Sequence, residues 1–328
     1  MEQRATNRHG FTVLYHKELA DHLTSRRFQL LFLILLFIAG ASLFGAFGSL
    51  SKAAQQTTAN GQQAAPSDFV FLQLFTTAGQ SIYAFTTFIG FLGPIFGIML
   101  GFDAINNEQA QGTLNRLAAQ PIYRDTIINA KFCAGATVVF LTMFALGGIM
   151  TGAGILLAGL IPKPEEIARL LVFLLIASVY ISVWLAVAEF FSVVSKHAAT
   201  AALACVAIWL FLTMFLSLAV NGFAGLVYPV SKTAPVTNVL ANYRMQMNLN
   251  RISAYYLFNE ATTMIMNPNV RSLNIMDLVS LQDGGISSYL SLGQSLLQIW
   301  PHLVGLIAMA VAGFAAAYIS FMNREIRA

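Results

Sequence analysis

The chain has 328 residues, of which 57% are hydrophobic and only 10% charged, with a formal net charge of +4. Soluble domains carry about 25% charged residues, and a mean hydropathy of +0.69 leaves too few polar side chains to clothe a water-facing surface. The composition excludes a soluble domain, requires no nucleic-acid partner, and describes an all-α integral membrane protein.

Ahead of the first apolar run, Phe11, Leu14, Tyr15, Leu19 and Leu23 recur at helical spacing, with His16, Lys17 and Asp21 on the opposite face. This pattern predicts an amphipathic helix in the membrane interface, as a plain anchor, as an elbow that couples to a partner, or as both. The segment is long and charged, so no cleavable signal peptide is expected. A span needs roughly 20 predominantly apolar residues. Six runs qualify: 28–48, 82–102, 132–160, 170–194, 198–220 and 301–322. The third is longer than a bilayer requires and is expected to tilt or project.

Between the first two runs, residues 49–81 open with SKAAQQTTANGQQAAPSD, whose low complexity predicts a flexible loop. Residues 69–78 read as an interfacial lead-in to the second span or as its extension. The larger connection, 222–300, holds Tyr228, Pro229, Pro235, Tyr243, Tyr255, Tyr256 and Phe258 and is expected to be folded, partly buried and the external gate. Its apolar stretch 286–299 is too short to span and reads as re-entrant or interfacial. Eleven Lys and Arg residues fall in short segments on the side of both termini, against three in short connections and four in the long loop on the other. Both termini are therefore expected in the cytoplasm.

Within the spans, Gly93, Gly97 and Gly101 form a small-xxx-small series, with Gly90 and Pro94 beside it. Such a stripe lets backbones approach closely. It serves packing inside the chain, a dimer face or a pathway lining. Glu189 is the clear acid inside an apolar run and a functional candidate by default, although Lys196 lies close enough in sequence to pair with it. Met245, Met247, Met264, Met266 and Met276 could offer soft sulfur ligands, but no neighbouring Cys or His completes a site and packing is expected. No P-loop and no H-E-x-x-H occurs. Ser295 and His302 only faintly suggest an intramembrane protease. No catalytic residue and no metal site is assigned.

The segment 101–131, GFDAINNEQAQGTLNRLAAQPIYRDTIINAK, is polar between two spans. It reads as a short helix closed by Pro121 and a second helix restarting near Asp125. Gly101, Asp103 and Ala104, then Glu108, Gly112-Thr113-Leu114, Leu117, Pro121, Arg124 and Lys131 resemble the type-2 permease family of ABC transporters. Lys17-Glu18-Leu19 and Ser25-Arg26-Arg27-Phe28 resemble that family's elbow, and the branch serving nitrous oxide reductase maturation is the most similar in flavour. Ala130-Lys131 departs mildly from the family's Gly-Lys.

The resemblance implies a single permease domain over 1–328, with an elbow segment 1–27, spans one to five in 28–220, an external loop 221–300, and span six with a cytoplasmic tail in 301–328. It also implies that residues 113–120 form a coupling helix docked on a separate cytoplasmic ATPase. Leu114 and Leu117 would give its apolar face, Glu108 and Arg116 polar contacts, and Arg124 a further coupling position. Gly112 would form the turn before Thr113 as N-cap, and Pro121 would stop the helix. Lys17, Glu18, Arg26 and Arg27 would belong to the elbow. Two ATPase copies holding ATP and Mg would drive a homodimeric permease in the plasma membrane. The cargo would be an amphiphile, with export the direction. An ion-gradient transporter, which should show internal repeats, and a non-transporting scaffold or sensor subunit are the alternatives.

Overall fold

In a computed structural model, the structure describes residues 2–59, 69–79, 82–113, 123–230, 235–268 and 289–324. The described residues are 86% helical, with no strand among them. The elements in order are α1 (Glu2–Thr24), α2 (Arg26–Ala59), α3 (Val70–Thr76), α4 (Phe85–Gly101), α5 (Asn106–Ala110), α6 (Arg124–Ala158), α7 (Pro164–Val194) and α8 (Ala198–Leu210). They continue with a π-helical turn (Phe211–Phe215), α9 (Leu216–Val227), α10 (Val236–Asn250), α11 (Ala254–Met266) and α12 (Leu292–Asn323). Among the described residues, six helical stretches are long and apolar enough to cross a membrane: Arg26–Ala53, Phe85–Ala110, Arg124–Ala158, Pro164–Val194, Ala198–Val227 and Leu292–Asn323.

Local chemistry sets the helix ends. The break between α1 and α2 falls at Ser25, whose hydroxyl accepts the Phe28 amide at 3.2 Å, as an N-cap does. Helix α6 begins with Asp125 in its first turn and ends at Gly159, which takes φ 64°, the left-handed C-cap conformation that glycine adopts without strain. Helix α7 starts on Pro164 with Glu165 and Glu166 in its first turn, where proline's fixed φ and the acids' charge both favour a helix start. Ser291 caps α12 through a reciprocal pairing with Gln294.

Span four, α7, is the central post: 67% of its most apolar window is buried, against 17% for spans five and six. It packs on α12, α4, α6 and α11. Around it lies a core that includes Phe85, Phe96, Phe173, Tyr180, Trp184 and Phe258. A second, smaller cluster gathers Leu14, Ile105, Ile127, Ile128, Val193 and Phe321 at the end of the bundle that carries α1, called here the elbow end.

Three expectations are corrected. Residues 49–59 continue α2 as helix instead of forming a loop. Residues 70–76 form a separate short helix, α3, neither an extension nor a lead-in of span two, because Phe71, Leu72, Leu74 and Phe75 are buried on the bundle. Residues 292–299 are the opening turns of span six, which runs on through Pro301 without a break. Helix α6 starts at Arg124, next to the restart expected near Asp125, and its 35 residues reach about 52 Å at 1.5 Å per residue. The long connection is folded as expected: α11 buries Leu257, Phe258, Ala261, Met264, Ile265 and Met266 against spans two, four and six.

Candidate functional site

At the elbow end, one buried lysine joins three segments distant in sequence. Lys131, on the second turn of α6, places its ammonium 2.9 Å from Glu18 Oε2 on α1 and 2.8 Å from Glu108 Oε1 on α5. Lys131 is 5% exposed and Glu18 8%, so the charges satisfy one another away from bulk water, where an isolated one is costly. Burial pushes the Glu18 carboxyl up, but the charges and hydrogen bonds of Lys131 and Lys17 outweigh it and hold it below its usual value. Burial lowers the neighbouring His22, against the pull of Glu18.

Further bonds fasten the same region. Arg27, at the start of α2, reaches Asp103 at 2.6 Å. The Ser192 hydroxyl of α7 accepts the Ile105 and Asn106 amides at 2.9 and 3.2 Å. Tyr15 of α1 donates to Thr137 of α6 at 2.9 Å. Arg124 donates to the Phe321 and Arg324 carbonyls at 3.1 and 2.7 Å, and Arg324 donates to the Val193 carbonyl. The segments on both sides of residues 114–122 are therefore held to the ends of spans three, four and six.

The residues singled out from sequence distribute as follows. Leu114, Arg116, Leu117 and Pro121 lie outside the described residues. Gly112 takes φ 70°, the left-handed conformation suited to glycine. The Thr113 hydroxyl donates back to the Glu108 carbonyl at 3.1 Å. Glu108 turns inward to Lys131, and Lys17 pairs with Glu18 and Asp21 at 3.3 and 3.6 Å. Arg26 is exposed. The elbow helix buries Leu14 against Ile127, Ile128 and Phe321, so its apolar face meets protein. Lys131 and Asp103 carry the junction, although sequence offered them only as members of a motif. Ser192 gave no signal at all, because a lone serine in a span is unremarkable.

Beside the junction lies a cavity of about 420 Å³. Its lining is partly apolar, with Phe28 and Leu31 of α2 and Phe96, Met99 and Leu100 of α4, and partly charged, with Glu18, Glu108, Lys131 and Glu189. Glu189 is 2% exposed, and its Oε2 has no hydrogen-bond partner. It does not pair with Lys196, which is exposed: the helical turn puts Glu189 on the inner face of α7 while Lys196 has passed the helix end.

The glycine stripe faces α7. A Cβ on Gly97 would stand 2.5 Å from the Ile181 carbonyl oxygen, one on Gly93 2.9 Å from the Ile181 side chain, and one on Gly101 2.9 Å from the Leu185 carbonyl oxygen.

At the opposite end, Arg169 of α7 is fully buried. It bonds Glu165 at 2.8 Å, the Ile265 carbonyl at 3.0 Å and Ser295 Oγ at 3.1 Å, and also reaches the Leu290 carbonyl. Its guanidinium lies over the Phe69 ring at 5.4 Å. Glu166 accepts the Phe71 and Lys163 amides at 3.0 and 2.8 Å. His302 Nε2 lies 2.8 Å from Glu260 Oε2, which also receives Arg251 at 2.9 Å. Ser295 and His302 are thus each held by a different partner, a structural arrangement. Met264 and Met266 are buried in the core, and among the described residues no group of three or more His, Cys, Asp or Glu is placed to hold a metal ion.

Among the described residues, six membrane-length helices, with α11 packed on spans two, four and six and a polar junction at the elbow end, describe a multi-pass membrane protein. The chain matches the ABC-2 family transporter protein family over residues 12–326 and belongs to it. It is a type-2 ABC permease, the membrane component and not itself the ATPase, and its family implies a partner ATPase subunit. No curated protein matches the chain significantly.

Proposed function

We propose that this chain is the permease subunit of an ATP-driven exporter of amphiphiles. It works as a homodimer in the plasma membrane with both termini cytoplasmic, bound to two copies of an ATPase that hold ATP and Mg. The observation that supports this reading is the Lys131 junction. The proposed coupling helix, residues 113–120, begins five positions after Glu108, and Tyr123 and Arg124 stand at the start of α6. A push on the coupling helix is transmitted through Glu108 to Lys131 on span three and Glu18 on the elbow, and through Arg124 to the end of span six. Buried ion pairs transmit such a displacement because breaking one costs about 3–5 kcal/mol, so the segments move together as rigid bodies. Leu114 and Leu117 form the docking face, Arg116 its polar rim, and Gly112, Thr113 and Pro121 its ends. Arg26 and Arg27 anchor the elbow. The affinity to the nitrous oxide reductase maturation branch belongs to the same proposal.

The test is ATPase recruitment and turnover in the co-expressed complex in lipid, comparing wild type with Leu117→Asp. The variant is expected to insert normally yet lose its ATPase or its coupled turnover by tenfold or more. A wild-type chain that recruits no ATPase, or a variant indistinguishable from it, overturns the proposal in favour of a gradient-driven or scaffold role.

A further inference from the structure

The cavity at the elbow end has more acceptors than its surroundings satisfy. Five carboxylates line it, those of Glu18, Asp21, Asp103, Glu108 and Glu189. Lys131 serves Glu18 and Glu108, Lys17 serves Asp21, and Arg27 serves Asp103. Glu189 alone among them has no ion-pair partner within the described residues, although it is 2% exposed and one of its oxygens is unbonded. Arg26 lines the rim but is exposed. A buried carboxylate left this way is costly unless it takes up a proton or a donor arrives, and a cationic donor supplies both the charge and the hydrogen bond that would keep it ionised.

The shape of the cavity decides which cation. Among the described residues no group of three or more His, Cys, Asp or Glu is placed to hold a metal ion, and about 420 Å³ falls in the range of small-molecule sites, roughly 300–1,000 Å³. The same cavity is lined by Phe28, Leu31, Phe96, Met99 and Leu100, and the Phe28 and Phe96 rings pack together at 6.1 Å. Apolar side chains and one orphaned carboxyl in a single cavity are complementary to a molecule with an ammonium at one end and a hydrocarbon body. Aromatic faces add a further attraction for the cation.

We propose that this cavity binds an amphiphilic primary amine, its ammonium on Glu189 and its apolar body against Phe96, Met99 and Leu100. As a stage on the transport route the assignment rests on the permease reading above; as a binding site it does not. A free amphiphile and the amino headgroup of a membrane lipid share the required chemistry.

The experiment uses the full chain alone in phosphatidylcholine nanodiscs and measures binding of radiolabelled decylamine by equilibrium dialysis, with empty nanodiscs as background. Saturable, protein-dependent binding is expected. Glu189→Gln, close to isosteric, should weaken it at least tenfold while leaving uptake of neutral decanol unchanged, and Met99→Trp, which enlarges the apolar lining, should weaken both. Identical decylamine binding by wild type and Glu189→Gln, or decanol binding as tightly as the amine, overturns the proposal. Should Glu189→Gln not fold, Met99→Trp decides: unaltered decylamine binding there overturns it equally. Displacement of decylamine by added phosphatidylethanolamine supports the site with a lipid as occupant, and saturable binding without such displacement supports it with a free amphiphile. Because no ATPase is present, failure here leaves the coupling reading intact, and loss of ATPase recruitment leaves the amine site intact.

Discussion

Lys131 faces two carboxylates and almost no water, so removing its charge leaves Glu18 and Glu108 buried without compensation. Lys131→Met, which keeps the length of the stem, should destabilise the chain by about 3–5 kcal/mol and lower its melting temperature in detergent. The paired substitution Lys131→Met with Glu18→Gln should recover part of that loss. The Glu18 carboxyl, held below its ordinary value by Lys131 and Lys17 against the push of burial, also sets a pH dependence. A depressed folded-state value means that its stabilising contribution is fully present above the ordinary carboxylate value of about 4.3 and is lost as pH falls through the lower folded value. Hydrogen exchange in residues 10–24 should accelerate on acidification below about pH 4.3, and Glu18→Gln should flatten that dependence. A dependence unaffected by Glu18→Gln would assign the effect to another group.

At the scale of elements, the contact between α4 and α7 depends on absent side chains. A Cβ on Gly97 meets the Ile181 carbonyl oxygen at 2.5 Å, a backbone atom that cannot swing aside, whereas Gly148 of α6 has nothing within 4 Å. Gly97→Ala should therefore cost about 1–3 kcal/mol through overpacking. Gly148→Ala should leave the melting temperature unchanged or raised, since alanine is the better helix former. Equal effects from the two would show that spans two and four are not in this register. The far end is closed by one side chain in the same sense. Arg169 holds α11 and the start of α12 through the Ile265 and Leu290 carbonyls and the Ser295 hydroxyl. Arg169→Gln should orphan those carbonyls at about 1–3 kcal/mol each and increase hydrogen exchange across residues 254–266, while the elbow end keeps its protection.

At the scale of the whole molecule, spans one, five and six turn broad apolar faces outward, including Phe37 and Phe44 on α2, Leu203 on α8, Leu226 on α9 and Val311 on α12. Lipid or a second permease copy covers such faces in a membrane. The buried ionisable groups collect toward the two ends, Lys131 and its partners at one, Arg169, Glu260 and His302 at the other. This division follows from the membrane itself, because ionisable groups are least costly near its edges. It places the proposed ATPase contact and the proposed gate at opposite ends of the same central helix, α7, which is how a push at one end can be felt at the other.

The six spans, the helical elbow and the polar segment 101–131 were legible in the sequence because each rests on composition or on a short-range period. Twenty apolar residues in a row, or Phe11, Leu14 and Tyr15 on one helical face, need no partner to be recognised. The family was legible on a different ground, the resemblance of the Gly112–Leu114 and Pro121 pattern to that of the type-2 permeases. What only the tertiary structure decided is which side chains meet. Glu18, Glu108 and Lys131 are separated by as many as 113 positions, yet touch through contacts of 2.8 and 2.9 Å. Glu189 turns from its sequence neighbour Lys196 toward a cavity shared with α1, α2 and α4. Residues 292–299, too few to span alone, are carried into span six by a cap at Ser291. Sequence periodicity reports the environment of a helix face, polar or apolar, but a face carries no record of which other helix supplies that environment. That pairing is fixed by how all six spans pack at once around α7.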